Sequence, residues 1–234
     1  MFVADYENGE WKNLQIVPYG DISISPAASA LHYGQAIFEG IKAYRQKNGE
    51  VTIFRPLKNF ERFNLSADRM VMPRVPEEVF MQGLTQLLSL DKQWVPSKDG
   101  QSLYIRPFMI ATDPVIGVHA SETYKFIIIT GPTGVYYSKP LKVKIETHFA
   151  RAVEGGVGYA KTAGNYAASL LPTRQAQKEG FDQLIWTDAK DHAYIEESGT
   201  TNVMFVINGV LITPSSRDTI LDGVTRNSIV ELAR

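Results

Sequence analysis

Apolar positions along this chain recur sometimes at every second residue and sometimes at helical spacing, and the alternation between the two patterns lays out its elements. Residues 14–24 (LQIVPYGDISI) and 51–55 (VTIFR) predict strands. Residues 57–71 and 77–90 predict helices, the second through Val79, Phe80, Leu84, Leu87 and Leu88. Two more strands are predicted at 102–111 (SLYIRPFMIA) and 124–130 (YKFIIIT). The stretch 131–140 (GPTGVYYSKP) pairs two glycines with two prolines, which interrupt helix and strand alike. It predicts a domain boundary, with a first domain over 1–133 and an interdomain loop over 134–140.

Beyond that loop, residues 141–148 alternate as a strand does, and Gly155, Gly156 and Gly158 form a flexible loop leading to Lys161. A helix is predicted from Tyr166 to Glu179 and is stopped by Gly180. Pro172 lies within it and removes an internal hydrogen bond, so a kink or a late start is expected. The strand 181–187 (FDQLIWT) follows, then a segment carrying Glu196 and Glu197. Residues 203–213 (VMFVINGVLIT) read as two strands joined by Asn208-Gly209, a pair suited to a two-residue turn in which both positions need positive φ. Thr225 to Arg234 reads as an amphipathic helix cut off in mid-pattern (Ile229, Val230, Leu232, Ala233). The expectation is a mixed α/β chain that breaks off inside a second domain spanning 141–234.

Composition narrows the range of functions. With 234 residues, 44% hydrophobic and 21% charged, the chain has the make-up of a globular protein with one large or two modest domains. Lys and Arg total 24 against 25 Asp and Glu, so no charge excess favours nucleic acid or an anionic membrane, and small molecules are the expected partners. No apolar run approaches the roughly 20 residues that span a bilayer, and Met1 to Tyr6 lacks the order of a signal peptide. The absence of cysteine excludes disulfides, thiolate metal sites and cysteine nucleophiles, and favours the cytoplasm. Histidines 32, 119, 148 and 192 show no ligand spacing, so no metal site is expected. Neither a G-x-G-x-x-G after a strand nor a Walker motif is present, which argues against nucleotide binding.

Several residues are candidates for chemistry, each with a plain structural alternative. Lys161 stands in GGVGYAKTAGNY, among small residues that leave room for a planar ligand. Desolvation there would favour the neutral amine that attacks an aldehyde, while a solvated surface lysine is the alternative. Glu197, in IEESGTTN, is either a surface carboxylate or an acid placed against a cofactor ring nitrogen, with Gly199, Thr200 and Thr201 beside it. Arg55 after VTIF and Arg106 within SLYIRPF are either edge arginines or anion ligands. The string LDGVTRNS places Gly and Thr ahead of a helix, as a phosphate cradle or an ordinary cap.

Six strings, taken together and in order, decide among these readings: LHYGQAIFEGIKAY at 31–44, FRPLKNFERF at 54–63, SLYIRPFMIA at 102–111, GYAKTAGNYAASLLP at 158–172, EESGTTNVMFV at 196–206 and ILDGVTRNSIVEL at 220–232. They closely resemble the branched-chain amino acid aminotransferases of fold type IV over essentially the whole chain. The resemblance implies the α/β, two-domain, D-amino acid aminotransferase-like fold, with the C-terminal, cofactor-binding domain incomplete. It also implies that the late glycine-threonine turn of the family, which serves the phosphate and the substrate carboxylate, lies beyond residue 234.

The same resemblance assigns roles. Lys161 would form the Schiff base with pyridoxal 5′-phosphate and then move the proton between the substrate α-carbon and C4′. Glu197 would hold the pyridine nitrogen, and Tyr166 would hydrogen-bond the phenolic oxygen. Arg55 would clamp the phosphate, helped by Leu221, Gly223, Val224 and Thr225. Phe38, Tyr104, Arg106, Tyr136 and Thr200 would line the substrate pocket, with Tyr33 and the loop ending in Val118 reaching in from the second subunit of a homodimer. The implied reaction passes the amino group between Leu, Ile or Val and 2-oxoglutarate, giving branched-chain 2-oxo acids and glutamate. A D-amino-acid aminotransferase or an aminodeoxychorismate lyase would keep Lys161 and Glu197, but the combined HYGQAIFEG, LYIRP and GVYY strings favour the branched-chain type. A catalytically dead dimerisation or binding protein is the rival from another class, and retention of Lys161, Tyr166, Glu197 and Arg55 together speaks against it.

Overall fold

The alternation at 102–111 becomes a ten-residue strand in which Leu103, Ile105, Met109 and Ala111 are buried and Tyr104, Arg106, Phe108 and Ile110 between them are half-buried. Successive strand residues point to opposite faces, so one face joins the core and the other carries polar chemistry. This strand belongs to a unit made of Met1–Ser138, and a second unit is made of Lys139–Arg234. The computed structural model describes residues 1–135 and 137–234.

In the first unit the elements run β1 (Phe2–Glu7), β2 (Glu10–Ile16), α1 (Ser29–Tyr33), β3 (Ala36–Phe38), β4 (Ile41–Arg45), β5 (Val51–Ile53), α2 (Pro56–Arg69), α3 (Glu77–Asp91), β6 (Ser102–Ala111) and β7 (Tyr124–Thr133). The strands form one antiparallel sheet ordered β2-β1-β7-β6-β4-β5, with β3 also paired to β6. Helix α2 starts at Pro56, whose missing N–H costs nothing in a first turn. Its Phe63 and Ala67, with Phe80, Leu84 and Leu87 of α3, pack on the sheet around Phe126. The rings of Phe63 and Phe80 lie 5.4 and 5.7 Å from that of Phe126.

Two expectations fail here. Residues 17–24 are not strand: β2 ends at Ile16, because Pro18 cannot donate to a ladder. The strand instead begins at Glu10, after a turn in which Asn8 and Gly9 have φ of 54° and 82°. β7 runs on through Gly131 and Pro132 to Thr133, because both remain paired with β6.

The second unit contains β8 (Val143–Ile145), α4 (Ala163–Ala168), α5 (Leu170–Lys178), β9 (Gln183–Thr187), β10 (Ile195–Ser198), β11 (Thr201–Asn202), β12 (Phe205–Ile207), β13 (Val210–Ile212) and α6 (Val224–Leu232). A four-stranded sheet has the order β11-β10-β9-β8, with β8 and β9 parallel. Strand β8 is shorter than 141–148, since the Glu146 carboxylate accepts from the His148 and Phe149 N–H groups and turns the chain out of the sheet. The predicted helix 166–179 starts three residues early and is broken at Ser169 into α4 and α5. Pro172 then falls in the first turn of α5, where no N–H is needed. The predicted hairpin forms as read, with φ of 52° at Asn208 and 79° at Gly209.

Candidate active site

The glycine-rich loop before Lys161 is held by close packing and by a side chain of α4. Gly158 has no room for a Cβ, which would lie 2.5 Å from the Ala152 side chain and 2.7 Å from the Thr219 backbone. Asn165, in α4, donates to the carbonyls of Val157 and Ala160 at 2.8 and 2.9 Å and ties the loop to the helix start. Lys161 is thereby set one turn ahead of Tyr166, and its Nζ donates to the Tyr166 hydroxyl at 2.7 Å.

Across the same cleft, β10 presents Glu197, which is 4% exposed. Its Oε1 accepts from the Leu221 backbone N–H and from Asn202 Nδ2, both at 3.0 Å. Its Oε2 lies 2.9 Å from Nε of Arg151. That Nε is buried without an aligned hydrogen bond, so the contact is one of charge rather than of a directed N–H. Burial pushes the Glu197 carboxyl up to about 7, against the lowering effect of Arg151, the Leu221 N–H and Lys161, while Glu196 adds a smaller upward push. Asn202 also donates to the Leu221 carbonyl at 2.8 Å, and a Cβ at Gly223 would collide with its side-chain oxygen. Gly223 caps α6, so the start of that helix is fixed against the carboxylate.

Arg151, Gly158, Tyr166, Glu197, Thr200 and Leu221 are among the residues lining this cleft. Of the residues expected to surround a cofactor, Lys161, Tyr166, Glu197, Leu221, Gly223, Val224 and Thr225 all lie in this unit, and exposed Thr200 opens on the cleft. The Leu221 N–H is already taken by Glu197, and the N–H groups of Val224 and Thr225 belong to the first turn of α6. Anions are favoured at such a helix start.

The first unit gathers a second set. Arg106 stacks 4.5 Å above the Phe38 ring and 5.3 Å from that of Tyr104, and its Nη2 donates to the Tyr104 hydroxyl at 2.8 Å. Its Nε is buried without a hydrogen-bond partner. A Cβ at Gly40 would lie 2.5 Å from the Tyr104 hydroxyl, so glycine is what admits that ring. Arg55 is exposed at the start of α2 in the left-handed conformation, φ 47° and ψ 49°. Tyr33 and Val118 are 39% and 88% exposed. Tyr136 lies outside the described residues.

A cavity of about 550 Å³ in this unit, lined by Ile16, Val17, Leu87, Leu90, Trp94 and Leu103 among others, offers no comparable set, and its acidic residue Asp91 accepts from Thr130. Among the described residues no group of acids and histidines could hold a metal ion, and no helix is long and apolar enough to cross a membrane.

The chain matches the model of the amino-transferase class IV family over residues 36–234. Over its whole length it is 52% identical to branched-chain-amino-acid transaminase 1 of Bacillus subtilis strain 168, of which it covers 67%. Its fold is similar to that of the Escherichia coli branched-chain amino acid aminotransferase, with TM-score 0.79, 27% identity, 99% of this chain and 73% of that one covered. It is also similar to the T.th. branched-chain amino acid aminotransferase complexed with N-(5′-phosphopyridoxyl)-L-glutamate, with TM-score 0.76, 26% identity, 98% of this chain and 72% of that one covered. The chain therefore belongs to the class IV amino-transferase family and, within it, to the branched-chain amino acid aminotransferases, with the α/β architecture of fold type IV. It spans about two thirds of the length of the curated relatives it matches.

Reading the residues alone missed Arg151 and Asn202, which complete the surroundings of Glu197. The signal for Arg151 was a lone cation just ahead of the glycine loop. Asn202 had none beyond its place after Thr200-Thr201.

Proposed function

We propose that the protein transfers amino groups between branched-chain L-amino acids and 2-oxoglutarate, with pyridoxal 5′-phosphate held by Lys161. The observation that carries this is the pairing of an amine donating to a phenol, Lys161 and Tyr166, with a buried glutamate whose Oε1 is already satisfied. These residues suit the cofactor: Glu197 Oε2, met by charge rather than by an aligned N–H, remains an acceptor for the ring nitrogen. When bound, the cofactor supplies the electron sink that stabilises charge at the substrate α-carbon.

The protein's own groups do the rest. Tyr166 orients Lys161 Nζ, and Nζ would move the proton between the substrate α-carbon and C4′ of the cofactor. Glu197 would keep the ring nitrogen protonated, and Val224 and Thr225 at the start of α6 would hold the phosphate, a role the resemblance also gives to Arg55. Phe38 and Tyr104 offer an apolar wall for a branched side chain. Arg106, whose buried Nε lacks a partner, pairs with the side-chain carboxylate of glutamate in the other half-reaction.

The working unit in this reading is a cytoplasmic homodimer in which Tyr33 and the Val118 loop complete the partner's pocket. Support comes from the loop itself: its base is fastened by Asp113, whose carboxylate accepts from the Glu122 and Thr123 N–H groups, while Val115, Ile116 and Val118 are exposed. Lys161→Ala should abolish transamination, and borohydride reduction followed by peptide mapping should place the pyridoxyl label on Lys161. A label on another lysine, or a fully active monomer on sedimentation, would overturn the corresponding part.

A further inference from the structure

Arg151 is not among the residues that would touch cofactor or substrate in the proposed reaction, yet it is among the best-anchored side chains of the cleft. Its side chain is 9% exposed, its Nη2 donates to the carbonyls of Gly158, at 3.2 Å, and Thr219, and its Nε lies 2.9 Å from Glu197 Oε2. The two carbonyls come from two segments distant in sequence that pack against each other. Gly158 belongs to the loop that delivers Lys161, and Thr219 precedes the turn that delivers Leu221 and α6. The same two segments touch again where the Tyr159 N–H donates to the Asp218 carbonyl at 2.9 Å.

A guanidinium fixed by two backbone carbonyls cannot follow a wandering carboxylate, so the carboxylate must settle against it. Oε1 is held from the other side by Asn202 and Leu221, which leaves one orientation for the group. We infer that Arg151 is a positioning residue for the site: anchored to Gly158 and Thr219, it fixes the orientation and the negative charge of Glu197.

The charges around Glu197 explain why such a residue is needed. Burial works against ionisation of Glu197, and the neighbouring Glu196, itself buried with Oε2 lacking a hydrogen bond, adds repulsion. Arg151 is the largest opposing influence, ahead of the Leu221 N–H and Lys161, and Asn202 contributes a neutral amide. Without it burial and Glu196 would push the carboxyl further up, and a protonated carboxyl could not hold a proton on a ring nitrogen.

The inference rests on the proposed transamination only for its kinetic arm, so the decisive arm uses cofactor-free protein. Glutamate labelled with ¹³C at Cδ reports the titration of Glu197, its signal identified by its loss in Glu197→Gln. Arg151→Gln should raise the midpoint by about one pH unit or more. With pyridoxal 5′-phosphate bound, the same variant should show an altered pH dependence of the visible absorbance and a kcat lowered at least about tenfold with KM little changed. Arg151→Lys, which restores charge but not the anchored fork, should fall between the two.

Should Arg151→Gln not fold, Arg151→Lys decides alone: a midpoint raised by about half a pH unit supports the role. An unchanged midpoint in the folded variants would overturn it, whatever the effect on kcat. Titration that shifts as expected in a protein that neither binds pyridoxal 5′-phosphate nor transaminates would instead overturn the proposed function and leave this inference standing.

Discussion

Each unit buries a glutamate against an arginine, and the two pairs are built to different ends. In the first, Glu39 is fully buried and both its oxygens are engaged: Arg62 grips it bidentately at 2.7 and 2.8 Å, while Asn59 and the Gly40 N–H donate at 2.8 and 3.1 Å. In the second, Glu197 has one satisfied oxygen and another beside a guanidinium N–H that is not aimed at it. A saturated buried pair fastens elements together, here α2 to the β3–β4 turn of Glu39 and Gly40 that follows Phe38. An unsaturated one keeps part of its bonding capacity for a ligand.

The largest expected contrast comes from removing one charge from each pair. Glu197→Gln should leave pyridoxal 5′-phosphate bound but slow turnover on the order of 10³-fold or more, since an amide cannot keep a pyridinium protonated. Cofactor binding is read by absorbance and turnover by steady-state kinetics, and turnover within a few-fold of wild type would show that Glu197 has another role. Glu39→Gln should do the reverse. Leaving Arg62 uncompensated should cost about 3–5 kcal/mol of stability in urea unfolding. Turnover per folded molecule should change far less than in Glu197→Gln, and unchanged stability would dissolve the comparison.

A third test uses pH. The folded carboxyl of Glu197 titrates near 7 against an ordinary value of 4.5, so the folded state holds its proton more tightly than the unfolded chain. The resulting stabilisation of the cofactor-free protein is fully present below pH 4.5 and is lost as pH rises towards 7, on the order of 3 kcal/mol. In Glu197→Gln this component should vanish from the stability profile, and a profile identical to wild type would contradict it.

The smallest effect expected is at the rim of the first unit. Arg106→Met should lower kcat/KM for glutamate more than for leucine by about 2 kcal/mol, the scale of a hydrogen bond to a charged group. Single-turnover kinetics with each amino acid measure this directly, and equal losses would mean that Arg106 serves the fold or the common α-carboxylate.

Much of the fold is legible in the order of residues wherever the information is local. The alternation at 102–111, the helical spacing at 77–90 and the Asn208-Gly209 turn each act within a few residues, and each is found as read. Asn8-Gly9 carries the same signal as Asn208-Gly209, yet the apolar letters at 14–24 drew the strand beyond Pro18, which cannot pair. The sequence by itself also determined which residue types are on hand for chemistry: a lysine after a glycine loop, a tyrosine five residues on, and adjacent glutamates.

Only the tertiary structure decided which glutamate does what. Glu196 and Glu197 are neighbours in sequence and both are buried, but an irregularity in the pairing of β10 with β9 lies between Ile195 and Ser198. Glu196 accepts from Thr219 at 2.6 Å, and Glu197 meets Arg151, Asn202 and Leu221. Those partners stand between 5 and 46 positions away along the chain, and burial, which sets the carboxyl near 7, is a property of everything packed around it. Local pattern specifies elements because backbone geometry repeats within a few residues, whereas desolvation and charge are summed over neighbours that only folding brings within a few ångströms.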